Sequence, residues 1–431
     1  GRVLSTCSDH TTTATRYTNY KILTKNLFDK LGRVTSIQKQ FGSNAFKTIA
    51  SYDYDDAGRL KTKHLDPGYT AGGNSELESL TYSYNIHGQL TGINKEYALK
   101  TSGSYNKWSH FFGQYIGFDN RDEVFTNPNL LGQATGVVWN TQGDDAQRRY
   151  NYTYDNAGRL TSAVFTEKQH TGDSWSSSQM DFSISGTSGK ITYDLNGNLL
   201  NMLHKGVVPG TATPITVDNL TYSYNSYGNK LQTVTDGMTN TSVNGKFGDF
   251  KDGTNTSTPD YVYDNNGNLV IDLNKNVKDI GGVTGNGVKY NFLDKPEQIR
   301  IVGQGTITIV YSASGEKLQR TFTPEPSGAA ITTTYINQYV YQETGGTTTL
   351  QYINFEEGRI RVVTPTSQGN GLDALIVDGN MDLPNSKRGA YDYYIMDYQQ
   401  NVRMILTEEV HTASNTSTME TERSTLEEYI F

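Results

Sequence analysis

The sequence predicts an all-β fold of stacked hairpins. Three observations carry that prediction. A nine-residue unit recurs along the chain: an aromatic-x-aromatic-Asp opening, a glycine three places after the Asp, and an apolar restart. Composition favours strands and turns, with 43 glycines and 30 tyrosines among 431 residues, since tyrosine suits a half-buried pleated surface. No long run shows helical periodicity.

The copies appear in order. A loose one runs Phe28-Asp29-Lys30-Leu31-Gly32-Arg33-Val34, and a full one runs Tyr52-Asp53-Tyr54-Asp55-Asp56-Ala57-Gly58-Arg59-Leu60. Tyr82 to Leu90 is looser, and Tyr152 to Leu160 is full again. Tyr193 to Leu199, Tyr222 to Asn229 and Tyr261 to Leu269 follow. Tyr311 to Leu318 is looser and Phe355 to Ile360 is weaker. In each unit, alternation sends both rings to one strand face: Tyr52 with Tyr54, Tyr152 with Tyr154, Tyr222 with Tyr224, and Tyr261 with Tyr263. Asp55, Asp155, Asp194, Asn225 and Asp264 start the turn, because a short side-chain oxygen accepts from N–H groups just ahead. Gly58, Gly158, Gly197, Gly228 and Gly267 are expected at positive φ. The arginine after the glycine (Arg33, Arg59, Arg159, Arg359) is expected to pair with the turn Asp of an adjacent hairpin. The apolar residue that follows restarts the alternation. A lone hairpin is marginal in water, whereas stacked hairpins bury a continuous face.

Polar Gly/Ser/Thr/Asn-rich stretches at 66–75, 171–178, 236–258 and 364–380 read as loops. The repeat breaks at about 104–138, where Trp108, Phe111, Phe112, Tyr115 and Phe118 read as a local aromatic core. The hairpin array is expected over 1–405, with an acidic tail over 406–431 leading toward an absent C-terminal core. Glycine at position 1 and the lack of a signal-type segment predict that the native amino terminus lies upstream.

Several chemistries drop out. One cysteine, Cys7, cannot make an internal disulfide framework or a thiolate zinc site. None of the seven histidines stands at ligand spacing from another. A net charge of −8 argues against a nucleic-acid surface. No apolar run approaches the ~18–20 residues of a spanning helix. There is no Gly-x-Ser-x-Gly elbow and no phosphate loop. Asp264-Asn265-Asn266-Gly267-Asn268 has the composition of a calcium loop but not its 12-residue spacing, so turn capping is the reading. The expectation is no catalytic residue, no metal and no cofactor.

The Tyr-Asp-x-x-Gly-Arg/Asn-Leu unit resembles the YD repeat of the RHS (rearrangement hotspot) family, in the form found in Bacteroidetes-type bacteria. Gly136-Val137-Val138-Trp139, Val217-Asp218-Asn219-Leu220-Thr221-Tyr222 and Tyr290-Asn291-Phe292-Leu293-Asp294-Lys295-Pro296 extend the resemblance over essentially the whole chain. Tyr394 to Arg403 resembles the family's Asp-His-Leu-Gly-Asn-Val-Arg strand, with Tyr398-Gln399-Gln400 replacing His-Leu-Gly. Asn401 is expected to supply the left-handed residue there. The resemblance implies a spiral of stacked β-hairpins forming a hollow shell, or part of one. It implies a secreted or cell-surface bacterial protein that encloses or carries a C-terminal effector or toxin of the same polypeptide. Secretion-system components and surface glycans are the further partners implied, with no nucleic acid and no membrane span. Two alternatives stay open. One is a cell-surface carbohydrate- or protein-binding adhesion module. The other is part of a self-cleaving aspartyl autoprotease shell, for which Asp66-Pro67-Gly68 is the one Asp-Pro in the chain and reads as a turn.

Overall fold

The structure is a computed structural model. It describes residues 2–11, 19–41, 45–69, 75–101, 105–118, 124–125, 131–207, 213–226, 228–238, 250–252, 259–363 and 388–407. The acidic tail beyond 407, residue 1 and most of the loop stretches at 236–258 and 364–380 lie outside them. Among the described residues nearly all regular structure is strand, with one five-residue helix, Lys95–Leu99, and one 3-10 turn, Ile280–Gly282. The described strand pairings are antiparallel, and most join neighbours in sequence. The chain forms two compact units, one of 1–116, 139–145 and 350–431, the other of 117–138 and 146–349.

In the first unit, strands Ser5–Thr11, Asn19–Phe28, Val34–Phe41, Lys47–Tyr54, Leu60–Leu65, Glu78–Tyr84 and Leu90–Ile93 pair in chain order. Alternation puts Ile49, Leu65, Leu80 and Ile93 in the core at 1% exposure or less. The late strands Gly358–Val363, Arg388–Met396 and Val402–Thr407 share that core through Ile360, Tyr391 and Tyr393. Phe41 meets Tyr391 edge-on at 6.0 Å, and Phe355 meets Tyr393 at 5.6 Å. The last strand runs to Thr407, past the boundary expected at 405.

In the second unit, Gln147–Tyr154 pairs with Leu160–Lys168, and Leu199–Val207 with Pro214–Tyr224. Its core holds Phe165, Val217 and Val234, with Phe165 edge-on to both Tyr150 and Phe182. Strands Pro296–Ile301, Gly305–Tyr311, Lys317–Pro324 and Ile331–Ile336 continue the hairpins with only Gly305 fully buried.

The aromatic segment divides. Strand Phe112–Gly117 is buried throughout, so Phe112 and Tyr115 are core. Trp108 is not: it is 48% exposed, with the Lys107 ammonium 4.3 Å from its ring centre.

Candidate functional site

The recurring structure is the hairpin turn and its grip on the next hairpin. Asp155 shows the turn. Its N–H donates to the Arg159 carbonyl, and the Gly158 N–H donates to the Asp155 carbonyl, both at 2.9 Å. The Asp155 Oδ1 accepts from the N–H groups of Ala157 and Arg159, both at 2.9 Å. Oδ2 accepts from Arg159 Nε at 2.7 Å. The chain reverses at Gly158, where φ is 79°. Just before the turn the ladder slips by one residue, so Tyr154 faces Leu160 while Thr153 faces Ser162. Such a bulge adds local twist.

The same bonds recur around Asp55 with Gly58 at φ 82°, Asp194 with Gly197 at 88°, and Asp264 with Gly267 at 91°. Asp29 and Asn85 repeat them with Gly32 and Gly88. The main-chain N–H groups of Arg33 and Arg159 hold the Asp29 and Asp155 carboxyls below their usual range. At Asp264 both carboxylate oxygens are taken up by Asn266 and Asn268. Among the described residues no group of three or more His, Cys, Asp or Glu converges as metal ligands.

The arginine departs from expectation. Arg33, Arg59 and Arg159 bind the Asp of their own turn, four residues back, at 2.6–2.7 Å. The spacing that closes the turn already brings Nε to Oδ2. The guanidinium face then lies on the tyrosine just before the turn residue of the next hairpin. Arg33 sits 4.5 Å from the Tyr54 ring centre, Arg59 4.6 Å from Tyr84 and Arg159 4.7 Å from Tyr193. Lysines take the place at Lys230 over Tyr263, 5.4 Å, and Lys295 over Tyr311, 5.5 Å. The phenol completes the grip by donating back to the preceding hairpin. Tyr54 bonds the Val34 carbonyl at 2.7 Å, Tyr84 that of Leu60 at 2.9 Å, and Tyr193 that of Leu160 at 2.7 Å. Tyr224 and Tyr290 do the same to Leu199 and Leu269. Arg359 follows another pattern and binds Asp392 on the neighbouring strand at 2.9 Å.

The first tyrosine of each pair lies deeper. Tyr52 donates to Glu357 Oε1 at 2.6 Å, and Lys63 Nζ bonds Glu357 Oε2 at 2.8 Å. Lys39 meets Glu356 at 3.0 Å. Tyr152 stacks on Tyr150 at 6.2 Å. Burial pushes the Tyr222 phenol up to about 12. Asn274 Nδ2 reaches the Tyr261 hydroxyl at 3.5 Å.

Some turns differ from their sequence reading. The Asn225 turn holds one extra residue, with the Asn225 N–H donating to Lys230 rather than to residue 229. The reversal is wider, and Gly228 lies outside the left-handed region. Between Phe355 and Gly358 the chain turns in two residues, so Gly358 is a strand residue rather than a turn glycine. A Cβ there would meet the Asp392 carbonyl oxygen at 1.9 Å. At 397–401 the left-handed residue is Gln400, φ 66°, and not Asn401. Asn401 instead caps Asp397, with Nδ2 to Oδ2 at 3.1 Å. Gln400 occupies the glycine place because Asp397 organises the same five-residue turn.

Two further positions repeat features of this turn without a Tyr-x-Tyr signal. Asn291 forms the standard turn with Asp294 at φ 53° in the glycine place. Gly132, φ 77°, precedes Gln133 and Ala134, which act as the preceding hairpin for Tyr154. The Tyr154 hydroxyl donates to the Ala134 carbonyl at 2.7 Å, and Gln133 Nε2 donates to the Gly158 carbonyl. Asn129-Leu130-Leu131-Gly132-Gln133-Ala134 keeps the Asn85 to Leu90 spacing, but no Tyr-x-Tyr announces it.

Asp66 is buried and paired with Lys47 at 2.8 Å, and it opens a turn closed by the Tyr69 N–H to the Asp66 carbonyl. His64 lies between Glu76, 2.5 Å, and Asp53, 3.1 Å. His110 Nδ1 lies 2.8 Å from the buried Glu78. Each of these groups is engaged by an oppositely charged or hydrogen-bonding neighbour.

No protein-family profile and no curated protein matches the chain. Solved structures do. The Photorhabdus luminescens Tc holotoxin pore with a TccC3 mutation aligns at a TM-score of 0.54 and 14% identity, covering 94% of this chain and 18% of that one. The crystal structure of TcdB2-TccC3-Cdc42 aligns at 0.53 and 14%, and that of TcdB2-TccC3 at 0.54 and 14%. Both alignments cover 94% of this chain and 19% of the other. At that identity the likeness is one of fold, and this chain spans less than a fifth of the chains it matches.

Proposed function

We propose that the chain is a wall segment of an RHS/YD-repeat shell in a secreted or surface bacterial protein, and that the wall encloses or carries an effector polypeptide of the same chain. The observation that carries the reading is the turn ladder. At Tyr54, Tyr84 and Tyr193 one hairpin grips the next through both a cation-on-ring contact and a phenol-to-carbonyl bond. The likeness to Tc toxin structures over 94% of the chain supports it. The function is containment: a wall of paired strands separates a cargo from its surroundings and leaves few edges for other chains to pair with. Catalysis is not assigned to these residues. No helix among the described residues is long and apolar enough to cross a membrane.

Protease protection of the whole natural polypeptide tests this reading. The segment after the repeats is expected to resist a protease under native conditions and to be cut once denaturant melts the repeats. Cutting at equal rates before and after melting would overturn containment.

A further inference from the structure

Where the repeat breaks, the first unit gathers a set of polar side chains from 97–105 and 140–145. The Lys100 side chain is 4% exposed, and Asn140 is fully buried. Their nitrogens meet at one oxygen. Asp145 Oδ1 accepts from Lys100 Nζ at 3.1 Å and from Asn140 Nδ2 at 3.3 Å. The Tyr105 hydroxyl donates to the same oxygen and accepts from Asn140 Nδ2 at 3.0 Å. Lys100 Nζ also donates to the Asp145 carbonyl at 2.6 Å. The surroundings are aromatic. Tyr97 stacks on Tyr105 at 5.6 Å, and the Lys100 ammonium lies 5.1 Å from the Tyr105 ring centre. Burial raises both phenols. Among the described residues Asn140 Oδ1 has no hydrogen-bond partner.

None of these contacts belongs to the hairpin ladder. A buried amine, a buried carboxamide and a carboxylate that touches both are the parts of an amide exchange: nucleophile, electrophile and proton carrier. Holding the three together removes the chance encounter that keeps the same reaction slow in water.

We propose that Lys100 and Asn140 are joined by an isopeptide bond. Asp145 takes a proton from the Lys100 ammonium, and the freed Nζ lone pair moves off the carboxylate to attack Asn140 Cγ. The Nζ–Cγ bond forms and the Cγ–Nδ2 bond breaks. Nζ gives up two protons in all, Nδ2 gains both, and ammonium leaves. Asp145 carries the protons across and ends as the carboxylate it began as, and nothing is oxidised or reduced. The link ties the residue after helix Lys95–Leu99 to strand Gly136–Thr141, across the stretch where the repeat breaks. With Cys7 its one cysteine, the chain makes no disulfide staple of its own. The inference stands on this cluster and does not depend on containment.

Intact-mass spectrometry of the full chain tests it. The chain should be lighter than its sequence by one ammonia, and trypsin should leave Lys100 uncut within a branched peptide that also carries Asn140. Lys100→Arg and Asn140→Ala should each restore the sequence mass, and Asp145→Asn, shown to be folded by circular dichroism, should leave the chain unlinked. A parent chain at its full sequence mass, with a free peptide ending at Lys100, would overturn the inference. So would an ammonia loss that survives Lys100→Arg, which would place the loss at an asparagine succinimide instead. A link that still forms in Asp145→Asn would overturn the part given to the carboxylate.

Discussion

At Tyr193 one phenol serves two hairpins, with its ring under Arg159 and its hydroxyl on the Leu160 carbonyl. Tyr193→Phe keeps the ring and removes the bond, so it should cost about 0.5–1.5 kcal/mol, read as a lower denaturant midpoint with an unchanged slope. The turn carboxylates have a pH signature. The Arg159 main-chain N–H leads the causes that hold Asp155 below its unfolded value of 3.8. A depressed folded pKa contributes stability above the unfolded pKa and loses it as pH falls through the folded one. Asp155→Asn should therefore melt below the parent at neutral pH, and the gap should close as pH drops below 3.8 toward the folded value. A gap constant across that range would contradict the role given to the carboxylate. The turn was legible residue by residue because Asp, Gly and the cation stand at fixed spacing. The second bond of the arginine was not, because stacking on the next hairpin's ring depends on strand pairing that sequence spacing does not state. Gln400 and Asp294 were hidden because non-glycine residues occupy the left-handed place.

Among the elements, the turn that follows Phe355 departs most from the repeat, and it carries side-chain hydrogen bonds that reach back 317, 305 and 294 residues. Glu357 is buried and receives both Tyr52 and Lys63. The Lys63 side chain is itself 14% exposed, so removing the carboxylate charge strands a largely buried ammonium. Glu357→Gln should cost about 3–5 kcal/mol, the usual penalty for breaking a buried pair from one side. Circular-dichroism melting would show it, and a midpoint equal to the parent would contradict it. Strand identity came easily from the Tyr-x-Tyr alternation. That Glu356 and Glu357 close a two-residue turn could not be read from a segment matching the Phe-x-x-Gly-Arg pattern. The burial of strand Phe112–Gly117 was visible as an aromatic cluster, whereas the exposure of Trp108 was not, since composition alone does not tell a core ring from one at the surface.

For the whole molecule, the hairpin-stack fold followed from repetition: nine visible units cannot each bury a face alone, and stacking supplies the missing partner. Containment goes beyond what repetition states, because an array of hairpins is equally able to run open. The direct measurement is a cryo-electron-microscopy map of the longest natural polypeptide that contains these 431 residues. A closed wall of hairpins around separate internal polypeptide density is the expected result. An open ribbon, or a solenoid filled by its own side chains with no enclosed density, would contradict the function proposed for this chain.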